Sequence, residues 1–431
     1  MELFTGMEED LKKQIRKFTL IFVVLAVVFY AIVLAFDLPS EVSGLYYTYA
    51  ENMASLQMPY SDFSAEYPPL AMLLILIPRL FSFSPFSYEI AYGVMVYLFL
   101  VAGLICTYKL AYMHSNRPSR YTDLYIVVCF CLFEFIMDRF DIFPTLMCLF
   151  ALYFFKTNRM NLVWIMIAIG TMTKLFPALM APIFLIHLCM NGMKREALKG
   201  VGICVVIGII SMLPFLIADP ETMLMFLTYH MDRGMQTESL VSSFLMLFDK
   251  VGLIDIGYQF NYGSDHIYGP IPDAIAGIML YIMIIIIAAT YIIYGNLVHR
   301  IKEENVFLGI TFACTIVIMI FILINKVLSS QYLIWIIPFV VLTCILMNQQ
   351  WKKKTSIIFT VSIILTQLAF AVNIGGGRGP TDPYPLIGIL ILVVRNLLMV
   401  ALLAIMTKGL LSLGHPGSDG EIAGQHDPIK E

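Results

Sequence analysis

Two carboxylates, Asp62 and Glu66, stand in the stretch PYSDFSAEYPP, residues 59–69, among Tyr60, Phe63 and Tyr67. The Pro68–Pro69 pair bars a helix from running through this segment. A carboxylate held in such a loop can take the proton from an attacking hydroxyl, the work of a general base. We assign that role to Asp62, with Glu66 sharing it or binding hydroxyls. The alternative for Asp62 is a turn or cap residue after Tyr60 and Ser61. Four cations, Arg139, Lys174, Lys326 and Arg378, fall at corners between apolar runs. Cations so placed suit a phosphate, although each taken singly is also explained as a snorkelling chain or an ion pair. A third polar stretch, YHMDRGMQTES at 229–239, gathers His230, Asp232, Arg233, Gln236 and Glu238. It reads either as a sugar or acceptor contact or as a solvated amphipathic helix. Tyr60, Asp138, Asp141, Gln331 and Tyr332 complete the candidates for sugar or acceptor binding.

The elements that must position these residues are membrane spans. The chain is 60% hydrophobic and 13% charged, with a mean hydropathy of +0.84, too apolar for a soluble protein. The first apolar run, 18–36, is long enough to cross a bilayer and lacks a small-residue cleavage site, so it is read as a retained anchor. Lys12, Lys13, Arg16 and Lys17 precede it, which places residues 1–17 in the cytoplasm and the loop at 59–69 outside. Residues 69–83 are apolar but short and carry Arg79, so they predict a helix lying at the outer interface. Further spans are predicted over 87–113, 122–137, 142–155, 162–173, 175–189, 201–217, 273–297, 306–324, 332–347, 356–372 and 386–406, about twelve in all. Asp138, Arg139 and Asp141 make a tight outer corner between two of them. The half-length runs 162–173 and 175–189 meet at Lys174 and Pro177, and a backbone break at membrane depth usually lines a cavity.

The membrane domain is thus expected over 18–406, with outer loops at 37–86 and 218–272. The second loop is long enough to hold structure of its own. Residues 407–431 read as a disordered cytoplasmic tail. Of the 27 Lys and Arg residues, 19 fall on the cytoplasmic side in this layout. The others are Arg79, Arg139, Lys174, Arg233, Lys250, Lys326, Arg378 and Arg395. Arg395 lies mid-span, where a charge needs a partner, and Glu134 is the expected one.

A net charge of -3 argues against nucleic acid as a partner. All eight cysteines lie inside hydrophobic runs and read as small core residues. Cys129 and Cys131 would point in different directions on a helix, which disfavours a metal site. No cofactor and no metal is called for, and only the acidic corner at Asp138 and Asp141 leaves a divalent cation open.

The segments PYSDFSAEYPPL (59–70), DRFDIFP (138–144), TKLFPALMAP (173–182), HMDRGMQTESL (230–240) and SSQYLIWIIP (329–338) run in order through most of the chain. As a set they resemble the polyprenyl-phosphate-mannose-dependent α-mannosyltransferases of the glycosyltransferase-C superfamily. The resemblance implies an all-α polytopic membrane protein of glycosyltransferase-C-like fold, with an interfacial helix in the first outer loop. It also implies a catalytic aspartate, falling on Asp62, and a polyprenyl or dolichyl phosphate mannose donor. Transfer would be inverting, to a lipid or glycan acceptor on the extracytoplasmic face. A multi-pass lipid or solute transporter is the alternative reading; it would show related halves and ionisable residues near the midplane. No internal repeat is visible here, and the ionisable residues concentrate on one side. A non-catalytic membrane subunit is the third reading, and it would tolerate Asp62→Asn.

Overall fold

The computed structural model describes residues 2–38, 40–115, 118–223, 233–374 and 383–414. They fall into two compact units, one within 2–181 and 193–223 and the other within 182–192 and 233–414. In the first unit, α1 (Glu2–Phe36) is followed by a π-helical turn at Val42–Tyr46, α2 (Tyr47–Ala54), α3 (Pro69–Arg79) and α4 (Pro85–Tyr112). Then come α5 (Ser119–Cys131), α6 (Phe133–Asp138), α7 (Ile142–Lys156) and α8 (Met160–Thr173). After α9 (Ala181–Met190), which belongs almost wholly to the second unit, α10 (Lys194–Ala218) completes the first.

Local sequence explains these boundaries. Pro68 is extended and Pro69 opens α3, since a proline at the first helical position sacrifices no bonded N–H. Ser84 and Ser87 form a capping box at the start of α4, with Pro85 next to the cap. Leu132, at φ -111 and ψ 21, breaks the predicted third span into α5 and α6. The buried side of α3 carries Ala71, Met72 and Ile75, while Leu73 and Ile77 on the same helix are exposed. Helix α10 exposes Val205, Val206, Ile209, Ile210 and Leu213, a stripe at helical spacing. An unbroken exposed apolar surface of this length is stable against lipid and not against water.

The second unit begins, after α9, with strand β1 (Met235–Gln236) and α11 (Leu240–Lys250). Strands β2 (Gly257–Asn261) and β3 (Ser264–Tyr268) follow, then α12 (Pro270–Leu297) and α13 (Val306–Leu323). A 3-10 segment at Ser330–Ile336 runs into α14 (Ile337–Leu346), followed by α15 (Gln349–Ile374) and α16 (Leu386–Ser412). The three strands form an antiparallel sheet in the order β1-β3-β2. The two-residue turn Tyr262-Gly263 has positive φ at both positions, 49° and 68°, as a primed hairpin turn requires. The outer loop predicted over 218–272 therefore holds a small sheet and a helix, whereas the other described elements are helices. Met235, Ile267, Met246, Met279, Tyr384 and Leu392 meet in the core beneath this sheet.

Among the described residues, seven helices are long and apolar enough to cross a membrane: Glu8–Phe36, Pro85–Tyr112, Lys194–Ala218, Pro270–Leu297, Glu303–Leu323, Gln349–Asn373 and Leu386–Ser412. The chain is a multi-pass membrane protein. The five other predicted crossings are shorter pieces: α5 with α6, α7, α8, Phe176–Met190 and Ser330–Leu346. A helix of fifteen residues such as α7 rises only about 22 Å, less than the hydrocarbon thickness of roughly 30 Å.

Candidate functional site

In the first unit the carboxylate loop is built around Tyr60. Its backbone adopts φ 71°, a left-handed conformation unusual for a bulky side chain, and the residue is buried. The conformation is fixed from three sides. The Tyr60 N–H donates to the Phe63 carbonyl at 2.9 Å, its hydroxyl donates to the Tyr67 carbonyl, and its ring meets Phe215 edge-on at 5.1 Å. Asp62 sits exposed at the tip. Its Oδ2 accepts from the Met58 N–H at 2.7 Å, and its own N–H donates to the Met58 carbonyl at 2.9 Å. Glu66 is half-buried between Tyr49 and Tyr67. Burial, and then the Glu66 charge, push the Tyr49 phenol up to about 12.

Tyr67 joins this loop to the acidic corner. Its ring meets Phe140 edge-on at 4.7 Å, and Tyr46 packs against both rings. Lys174 lies over the Phe140 ring, its Nζ 5.1 Å from the centroid, and binds Asp141 Oδ1 at 2.7 Å. Asp141 is fully buried. Beside it, Asp138 Oδ1 accepts from the Glu41 N–H at 2.8 Å while Oδ2 accepts from Arg139 Nη1 at 2.8 Å. Arg139 Nη2 also lies 3.3 Å from Glu41 Oε1. Burial pushes the Asp138 carboxyl up to about 7, against the hydrogen bonds from Ser40 and the Val42 N–H. The structure thus brings Asp138, Arg139, Asp141 and Lys174 together as interlocked ion pairs. It adds Glu41, which the sequence reading passed over. The available signal was its position, an acid only a few residues beyond the first span.

The second unit gathers other candidates. Glu238 Oε2 accepts from Ser330 Oγ at 2.6 Å and lies 3.7 Å from Arg395 Nη1. Arg395 Nη2 donates to the Glu238 carbonyl at 2.7 Å, and Asn396 donates to the carbonyls of Glu238 and Ser239 and to Ser243 Oγ. The partner of the mid-span arginine is therefore Glu238 and the turn that carries it, in place of the expected Glu134. A short loop that doubles back against a distant helix leaves no periodic trace from which this pairing could be read. Burial lifts the Glu238 carboxyl above its ordinary value, while the Arg395 charge and the Ser330 hydroxyl act against that lift.

Gln236 is buried, and its N–H donates to the Lys326 carbonyl at 2.9 Å. Arg233 Nη2 donates to the Tyr262 carbonyl at 2.9 Å and to Ser264 Oγ at 2.8 Å. Gln331 accepts from Ser329 Oγ at 3.0 Å, and Tyr332 stacks on Trp335 with ring centroids 3.9 Å apart. His230 and Arg378 lie outside the described residues. The sequence reading missed His266 on β3, which is fully buried. Burial, then the charges of Arg233 and Lys326, push its imidazole down to about 4.

Residues 63–324 match the family model described as Glycosyltransferase family 87. Among solved structures, the crystal structure of ArnT from Cupriavidus metallidurans bound to undecaprenyl phosphate is similar, with a TM-score of 0.48 and 14% identity, over 92% of this chain and 77% of that one. The apo structure of the same protein gives a TM-score of 0.46 and 12% identity, over 93% and 77%. No curated protein matches.

Proposed function

The chain belongs to glycosyltransferase family 87, and from that premise we propose that it moves a sugar, most specifically mannose, from a polyprenyl phosphate carrier to a lipid or glycan acceptor. The active face is the extracytoplasmic one. The acceptor hydroxyl gives its proton to a carboxylate as its oxygen attacks the anomeric carbon, and the carbon–oxygen bond to phosphate breaks, leaving polyprenyl phosphate with the electron pair. A single displacement inverts the anomeric centre, so one base suffices and no carboxylate nucleophile is needed. Cations stabilise the departing phosphate.

The observation that carries this reading is the contact of Tyr67 with Phe140, which ties the carboxylate loop to the corner of paired acids and bases. Asp62 is the base in this reading, exposed at the tip of a loop held in an unfavourable backbone conformation. One observation favours a second carboxylate. Glu41 lies 3.3 Å from Arg139, whereas Asp62 is bonded within its own turn.

The experiment is transfer of radiolabelled mannose from a short-chain polyprenyl phosphate mannose to a lipid extract, with purified wild type beside Asp62→Asn and Glu41→Gln. Loss of the base should lower turnover by about 10²- to 10⁴-fold while melting stays unchanged. The variant that loses turnover identifies the base. Full activity in both would remove the first-unit loop from the chemistry, and wild type inactive with every lipid-linked sugar offered would end the transferase reading.

A further inference from the structure

The sheet of the second unit has one face whose polarity its packing does not explain. The register row Met235, Ile267, Tyr258 points into the apolar core. Side chains alternate along a strand, so the adjoining row, Gln236, His266 and Gln259, occupies the opposite face. That face is not solvated as an amphipathic sheet would have it: Gln236 and His266 are 4% and 0% exposed. Two buried polar atoms on it, His266 Nδ1 and Gln236 Oε1, have no hydrogen-bond partner among the described residues. Buried polar groups left without a partner are costly, so such a pair on one face points to a ligand.

Cations border the same face. Ser264 Oγ lies 3.4 Å from His266 Nε2 and accepts from Arg233 Nη2 at 2.8 Å, which fixes the guanidinium beside the imidazole. Arg233 Nε is itself buried and unbonded, and Arg233 forms no ion pair with a carboxylate among the described residues. Lys326 also acts electrostatically on His266, and its backbone is tied to Gln236. Two acids near this face among the described residues, Asp265 and Glu238, have partners of their own. Asp265 accepts from Tyr384 Oη at 3.0 Å, and Glu238 is engaged by Ser330 and Arg395.

We propose that this face of the sheet, Arg233, Gln236 and His266 with Lys326 at its border, binds the phosphate group of a ligand. The proposal rests on the donor reading above for its physiological ligand, a lipid-linked phosphate. It assigns the phosphate to these residues, whereas Arg139 and Lys174 already neutralise Asp138, Glu41 and Asp141. Arg233 Nε–H and an imidazole N–H donate to phosphate oxygens. At neutral pH His266 is uncharged, so it acts as a hydrogen-bond donor, and the positive charge comes from Arg233 and Lys326. The Gln236 amide turns either its oxygen or its nitrogen toward the bound group.

The test measures binding of three probes to the purified full-length protein in detergent: farnesyl phosphate, farnesol and inorganic phosphate. Wild type should bind farnesyl phosphate saturably and at least tenfold more tightly than farnesol. Arg233→Gln and His266→Asn should each weaken farnesyl phosphate tenfold or more, leave farnesol unchanged and melt within a few degrees of wild type. Arg233→Lys should retain part of the affinity, since the charge persists without the planar fork. Inorganic phosphate bound with the same variant dependence would identify the free anion as sufficient, whereas binding of farnesyl phosphate alone would identify a lipid source. Variants that melt like wild type and bind farnesyl phosphate within twofold of it would overturn the proposal, as would a wild type that binds neither phosphate. Should His266→Asn fail to fold, Arg233→Gln at its half-exposed position decides. Variant-sensitive binding without any sugar transfer would keep this site and refute the transferase reading; transfer with variant-insensitive binding would do the reverse.

Discussion

Arg395 shows how much one side chain can fix. It is fully buried in α16, and its guanidinium reaches both the carboxylate and the carbonyl of Glu238. Removing one partner of a buried pair leaves an uncompensated charge and costs about 3–5 kcal/mol, whereas replacing both with apolar groups is far milder. Glu238→Ala should therefore lower the melting temperature more than Glu238→Leu combined with Arg395→Met, a double-mutant comparison in which strictly additive losses would refute the coupling. His266 gives a pH signature. Its folded value of about 4 lies below the ordinary 6.5, so between those values the unfolded chain binds a proton that the folded chain refuses. Stability contributed by the neutral imidazole is complete above pH 6.5 and is lost as pH falls toward 4. His266→Gln should shrink the drop in melting temperature between pH 7.5 and 4.5, and equal drops in the two proteins would show that the group does not titrate as its surroundings require. The residue types that could do chemistry were legible in sequence: Asp62, Arg139, Lys174 and Glu238 stand out against an apolar chain. Their partners were not. Arg395 finds Glu238 across 157 positions of sequence, and Glu41 became visible only when the turn at Val42–Tyr46 set it against Arg139.

Helices were the most legible elements, because apolar length is itself the signal. The predicted interfacial run at 69–83 is α3, Pro69–Arg79, and 201–217 lies within α10. The hairpin in the second outer loop went unread, although GYQFN and SDHIY flank a two-residue turn ending in glycine; alternating polarity over five residues is a weak signal beside long apolar runs. Packing between elements leaves a sharper trace at glycine. A Cβ at Gly200 would lie 2.0 Å from Trp164 of α8, whereas one at Gly202, on the same helix, meets nothing within 4 Å. Gly200→Ala must displace a buried indole and should destabilise by about 1–3 kcal/mol. Gly202→Ala gains helix propensity without a clash and should be neutral or stabilising by up to about 1 kcal/mol. Thermal unfolding of the two variants in one detergent checks the contrast. Equal melting temperatures would mean that α8 and α10 do not pack through this glycine.

At the scale of the whole chain the proposed sidedness rests on where cations fall rather than on any single contact. Lys12, Lys13, Arg16 and Lys17 precede the first span, and Lys194, Arg195 and Lys199 cluster at the start of α10. Lys352, Lys353 and Lys354 lie in the first turns of α15. Retention of such clusters in the cytoplasm would send the chain outward through α1, the orientation we propose. In this proposed orientation the loop bearing Asp62 and the segment bearing the sheet are each expected on the extracytoplasmic side. Four exposed positions make this measurable: Ser64 and Lys250 on the predicted outer side, Lys194 and Lys353 on the inner. Single cysteine substitutions at these sites, with the unsubstituted chain as the blank, should divide cleanly. Ser64→Cys and Lys250→Cys should react with a membrane-impermeant maleimide on intact cells, and Lys194→Cys and Lys353→Cys only after permeabilisation. The inverted pattern would place the carboxylate loop in the cytoplasm, where a soluble nucleotide sugar is the accessible donor, and the case for a polyprenyl phosphate carrier would fall with it. A mixed pattern, with Ser64 and Lys250 on different sides, would mean that one of the short helices between them does not cross. At about 22 Å, α7 and α8 would then be the first to re-examine, because each needs its neighbours to bridge a bilayer thicker than itself.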